Sequence, residues 1–107
     1  MKQYLYKITP MRQGMVIEGP TKEEAGIIIS KHFGYLKSLT EQGSVLLFGR
    51  TQNSGKETFG IAIFRADSEE QAKTIMKNDP AVQNGVMKAK LYEYKLAVLN
   101  ARDWQAD

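Results

Sequence analysis

The run Phe59-Gly60-Ile61-Ala62-Ile63-Phe64 is apolar in both phases of a strand. Successive side chains of a strand point to opposite faces, so such a strand needs cover on both sides. That requirement predicts a core strand over residues 58–65. Val45-Leu46-Leu47-Phe48, closed by Gly49, has the same doubly apolar character and predicts a second buried strand. Residues 50–57, centred on Gln52-Asn53-Ser54-Gly55, are a turn signal, so the two strands are expected to form an antiparallel hairpin with a longish tip.

The flanking segments supply the remaining elements. Residues 4–9 alternate Tyr4, Tyr6 and Ile8 against Leu5, Lys7 and Thr9, which reads as a strand ended by Pro10. Residues 11–20 contain two glycines and read as a long loop. Thr21-Lys22-Glu23-Glu24 is a capping box that opens a helix over residues 21–42, stopped at Gly43. Gly26 and Gly34 weaken that helix by about 1 kcal/mol each relative to alanine, which predicts a close approach of something to it. Ser68-Glu69-Glu70-Gln71 is a second capping box, with Ala72, Ile75 and Met76 on the inward face, and Asp79-Pro80 stops the second helix. After Gly85, residues 86–94 alternate as a fourth strand with one wetter face. Residues 95–107 either extend that strand or form a short helix, with Trp104 as the expected anchor.

The order is β-α-β-β-α-β. It predicts an α+β, ferredoxin-like fold: a four-stranded antiparallel sheet with both helices on one face. At 107 residues the chain is one domain, with a core over 4–94 and a C-terminal extension over 95–107. Two helices cover one sheet face only. The doubly apolar strands therefore predict a homodimer that buries sheet against sheet.

Composition excludes several chemistries. There is no cysteine, which removes disulfides, thiolate catalysis, iron–sulfur clusters and cysteine-ligated zinc. A single histidine argues against a zinc enzyme, and no metal or other cofactor is expected. The formal charge of +3 is spread along the chain and interleaved with acids, which gives only a slight tilt toward anionic ligands. The start Met1-Lys2-Gln3-Tyr4-Leu5-Tyr6 carries no signal-peptide run, and no segment approaches a membrane span. The expectation is a cytoplasmic protein with no membrane partner.

The one histidine, His32, falls in an apolar stripe. On a uniform helix Ala25, Ile28, Ile29, His32, Leu36 and Leu39 share a face. An imidazole there needs partners for its ring nitrogens. A single backbone carbonyl would satisfy it; a role in chemistry is the alternative.

Four pieces of the chain resemble the YciI-like, or YCII-related, family. They are His32-Phe33-Gly34-Tyr35-Leu36-Lys37-Ser38-Leu39, Gly43-Ser44-Val45-Leu46-Leu47-Phe48-Gly49, the core strand Gly60-Ile61-Ala62-Ile63-Phe64 with the cap Ser68-Glu69-Glu70-Gln71-Ala72, and Asn78-Asp79-Pro80-Ala81-Val82-Gln83-Asn84-Gly85-Val86. There are two departures. Arg50 stands where the family often has proline, and Ile29, Ser30 and Lys31 stand where it often has an arginine. The resemblance implies a dimeric ferredoxin-like α-β barrel with a small pocket at the helix–sheet junction. It also implies an active pair that falls on His32 and Asp79. A carboxylate on one ring nitrogen fixes the tautomer and leaves the other nitrogen to act as a base. Asp-Pro is also ordinary turn chemistry, which is the plainer use of Asp79. Tyr6, Tyr35 and Arg50 are candidates to line the pocket. Their plainer uses are a sheet-face aromatic, a helix-flank aromatic and a solvated loop charge.

Three functions remain. One is a metal-free acid/base enzyme that isomerises, or eliminates from, a small organic molecule, a direction shared with the dehydrochlorinases and muconolactone-isomerase-like barrels that the family resembles. Another is a non-catalytic module that binds a small ligand or a protein. The last is an RNA-binding domain, since Thr58-Phe59-Gly60-Ile61-Ala62-Ile63-Phe64 echoes the third strand of an RNA-recognition motif. That echo fails where bases would stack: Ile61 replaces an aromatic, and Lys7 interrupts the first-strand counterpart. The expected partners are a small-molecule ligand and a second copy, with no nucleic acid.

Overall fold

The structure is a computed structural model, described over residues 1–53, 56–102 and 104. Ser54 and Gly55, at the tip of the expected hairpin loop, lie outside the described residues. The strands are β1 (Lys2–Pro10), β2 (Val45–Arg50), β3 (Gly60–Ala66) and β4 (Met87–Tyr94). The α-helices are α1 (Gly14–Ile17), α2 (Lys22–Gly26), α3 (Phe33–Glu41), α4 (Glu69–Lys77) and α5 (Pro80–Gln83), and a π-helical segment, Ile27–His32, joins α2 to α3.

The sheet is antiparallel in the order β2-β3-β1-β4. The fold is thus α+β with the ferredoxin-like order. Registers define the two faces. Tyr4, Tyr6 and Ile8 of β1, Ala62 and Phe64 of β3 and Val45 of β2 form the helix-covered side with Leu36, Ala66 and Ala72. The rings of Tyr4 and Tyr6 both pack on Phe64, at 5.9 and 5.7 Å between centroids. On the opposite face, Leu47, Ile63, Leu5 and Tyr92 align as one apolar row across all four strands.

Local chemistry sets the ends. The Thr21 hydroxyl accepts from the Glu24 backbone N–H at 3.1 Å, and the Glu24 carboxylate accepts from the Thr21 N–H at 2.8 Å, so the expected capping box forms. The second cap is looser. Ser68 accepts from Gln71 N–H, but the Gln71 side chain reaches past Ser68 to accept from Asp67 N–H at 2.6 Å. At the end of α3, Gly43 adopts φ +88°, with Gly43 N–H donating to Thr40 O and Ser44 N–H to Leu39 O. This is the Schellman arrangement, which favours glycine because other residues are strained at positive φ.

Three expectations are corrected. The helix over 21–42 is not uniform: the N–H of Phe33 donates to Ile28 O, five residues back. The extra residue in that turn rotates the helix phase, and Ile29 ends 69% exposed although uniform spacing places it on the inward stripe. The residues 11–20 are not all loop, because α1 lies within them and buries Met15. The strand at residues 45–48 lies at the sheet edge, with a register shift between Val45 and Leu47, and its Leu46 and Leu47 are exposed in the single chain. Trp104 does not anchor the C-terminal extension, being 81% exposed, and residues 95–102 form no regular element. No described helix is long and apolar enough to cross a membrane.

Candidate active site

Asp79 is the one buried charged residue among those described. The second helix stops just before it, where Asp79-Pro80 predicts. Asn78 ends α4, and Asp79 opens α5, with extended backbone, Pro80 at the first helical position and its Oδ1 accepting from Ala81 N–H at 3.0 Å. The proline explains both facts: it pushes the preceding residue out of helical geometry and suits the first turn of a new helix.

That cap aims the carboxylate into the interior, where two side chains meet it. The Tyr6 hydroxyl donates to Oδ2 at 2.7 Å. The Nδ1 of His32 stands 2.7 Å from Oδ1 and 2.9 Å from Oδ2. A carboxylate accepts, so Nδ1 carries the proton and Nε2 of the neutral ring keeps its lone pair. Burial first, then the Asp79 charge and hydrogen bond, push the ionisation of the Tyr6 phenol far above its ordinary range, so it stays a donor.

His32 reaches this position because the π segment packs against α5. The wider turn ends at His32, and its side chain is 12% exposed. Its open side lines a cavity of about 470 Å³, within the range of small-molecule sites. Ile8 and Gly60 of the sheet, Leu36 and Phe33 of α3, and Phe48 and Arg50 of β2 are among its walls. Phe33 and Phe48 meet edge to face at 5.6 Å across one side. Gly60 keeps the wall thin: a Cβ there would stand 3.1 Å from both Gly49 O and Ile8 Cγ1.

The five residues named from sequence therefore separate. His32 and Asp79 come together, and Arg50 lines the cavity. Tyr6 does not line it. It is fully buried and instead holds Asp79. Tyr35 does not line it either: its hydroxyl donates to Ile75 O at 2.7 Å and ties α3 to α4. Partial burial and then the Asp79 charge push the Tyr35 phenol up to about 12. The sequence reading missed Phe33 and Phe48 as cavity walls. Their signal was weak, since each belongs to an apolar run that an ordinary core explains as well.

A four-stranded antiparallel sheet with this strand order, a histidine–aspartate pair beneath the helices and a cavity over the ring define an α+β protein of the ferredoxin-like class. The sequence matches the YCII-related domain over residues 8–95, and the chain belongs to that family. No curated protein matches it in sequence. Among solved structures it is similar to 5-chloro-2-hydroxyhydroquinone dehydrochlorinase (TftG) from Burkholderia phenoliruptrix AC1100, in complex with 2,5-dihydroxybenzoquinone. The TM-score is 0.64 at 19% identity, over 89% of this chain and 95% of that one. This likeness is one of fold.

Proposed function

We propose that this protein is an acid/base enzyme in which Nε2 of His32 moves a proton on a small organic molecule held in the cavity. The carrying observation is the asymmetry of the imidazole. Nδ1 is bound to a buried carboxylate, while no described residue bonds Nε2 at the edge of an apolar space. Asp79 fixes the tautomer and offsets the charge that forms when Nε2 accepts a proton. Tyr6 and the Ala81 N–H hold Asp79 in turn. The chemistry that needs only this is proton abstraction beside an electron-withdrawing group. The C–H electron pair then either shifts within the molecule, with the proton returned elsewhere, or expels a leaving group as an anion. The dehydrochlorinase of like fold supports an elimination of this kind. Assembly as a homodimer through the open sheet face belongs to the same reading, since Leu47 and Tyr92 are more than two-fifths exposed there.

The test uses substituted hydroquinones and enol lactones in deuterated water. The native protein should either put solvent deuterium into the recovered compound or its isomer, or release the leaving group as an anion, and His32→Asn and Asp79→Asn should do neither. Binding without any exchange or turnover across the panel would leave the second reading, a non-catalytic ligand-binding module.

A further inference from the structure

Arg50 is the cavity's uncommitted cation. In the β2–β3 register it sits opposite Gly60, on the helix-covered side of an edge strand. The residue is exposed, its side chain makes no hydrogen bond or ion pair with any other described residue, and the described lining contains no aspartate or glutamate. Apart from His32, the only other polar side chain in that lining is Thr58, whose hydroxyl already donates to Asn53 O at 2.8 Å. Gly60, its cross-strand partner, adds no side chain to the lining beside it. The walls thus offer a bound molecule apolar contact, one basic ring nitrogen and one fixed positive charge.

We propose that Arg50 selects the ligand class. The ligand is a compact, flat carbocycle bearing one anionic oxygen, a carboxylate or an ionised phenol, which pairs with the guanidinium while the ring fills the apolar space and faces His32. An anion entering apolar surroundings without a partner would lose its hydration uncompensated, and a guanidinium supplies planar, charge-assisted hydrogen bonds. Arg50 is exposed to solvent, and the apolar walls shield the pairing on the cavity side only. This assignment rests on the cavity being the ligand site of the proposed enzyme, but it does not require turnover.

The experiment measures binding by protein NMR with two isosteric pairs: benzoate against benzamide, and 4-nitrophenolate against 4-nitroanisole. The native protein should bind at least one anion roughly ten-fold or more tightly than its neutral partner, the weight of one hydrogen bond to a charged group. Whichever pair shows the preference tells carboxylate from phenolate. The preference should vanish in Arg50→Gln with neutral binding unchanged, and Arg50→Lys should restore part of it. Equal binding within both pairs, or a preference that survives Arg50→Gln, overturns the role of Arg50 and leaves His32 as proposed. No shift of Ile28, Phe33 or Phe48 resonances with any of the four probes overturns this assignment and the cavity as a ligand site together.

Discussion

The Nδ1 of His32 lies 2.7 and 2.9 Å from the two carboxylate oxygens of Asp79, a residue 47 positions away. The pair joins the end of a π turn to the start of a short helix. Three donors converge on a side chain that is 0% exposed, so Asp79 is structural as well as a candidate for chemistry. Asp79→Ala should lower stability by on the order of 3 kcal/mol, because it strands the Tyr6 hydroxyl and removes the α5 cap. His32→Ala should cost less, under about 1.5 kcal/mol, since the cavity beside the ring lets water replace it. Leu36→Ala, one turn on and 1% exposed, should cost about 2–5 kcal/mol. Urea melts order the three; a histidine variant as damaged as the leucine variant would make His32 structural.

Two buried tyrosines offer a paired test. The Tyr6 hydroxyl donates to Asp79, whereas the Tyr4 hydroxyl is buried with no partner. Tyr6→Phe should lose about 1.5–3 kcal/mol, as for a buried hydrogen bond to a charged group. Tyr4→Phe should be neutral or stabilising, because it removes an unpaired polar atom and keeps the ring packing. Equal losses in the two variants would contradict the assigned hydrogen bond.

The helix glycines are not close-contact sites. A Cβ on Gly34 would meet nothing within 4 Å, so the expected close approach is absent there. Gly34→Ala should raise stability by about 0.5–1 kcal/mol through helix propensity alone. Gly60→Ala should act oppositely, by about 1–2 kcal/mol, because its Cβ would press on Gly49 O, which belongs to the paired β2 strand. Thermal melts of both variants check the two signs.

High pH should weaken the fold through its tyrosines. Burial raises the Tyr6 phenol, and holds Tyr35 near 12 against an ordinary value of 10.0. The native state therefore keeps protons that the unfolded chain gives up. The stabilisation is complete below about pH 10 and falls as the pH rises through the interval up to about 12. In an ultraviolet titration of the five tyrosines, Tyr6 should ionise only as the protein unfolds. Tyr6→Phe should reduce the slope of stability against pH in that interval; an unchanged slope would refute the coupling.

The row Leu47-Ile63-Leu5-Tyr92 is the proposed dimer contact. Leu47→Arg changes a side chain that is 41% exposed in the single chain, so folding should persist while association weakens. Light scattering at micromolar concentration should give a dimer for the native protein and a larger monomer fraction for the variant. A native monomer would remove the assembly from the proposal.

Sequence alone determined what depends on neighbours along the chain. The alternation of Tyr4, Tyr6 and Ile8 marks one strand face, Thr21 and Glu24 cap a helix, Gly43 ends one, and Asp79-Pro80 forbids helix continuation; each is a local steric or hydrogen-bonding rule. The tertiary structure decided the rest. Periodicity reports a face but not its partner, so the same reading placed Tyr6 in a strand without showing that it holds Asp79. Uniform helical spacing hid the π turn, which ends at His32 where the segment packs on α5 and the ring meets the buried Asp79 carboxylate. The apolar run at residues 45–48 likewise carried no mark of its place at the sheet edge, because strand order is set by long-range pairing, and that pairing is what puts Arg50 beside the cavity.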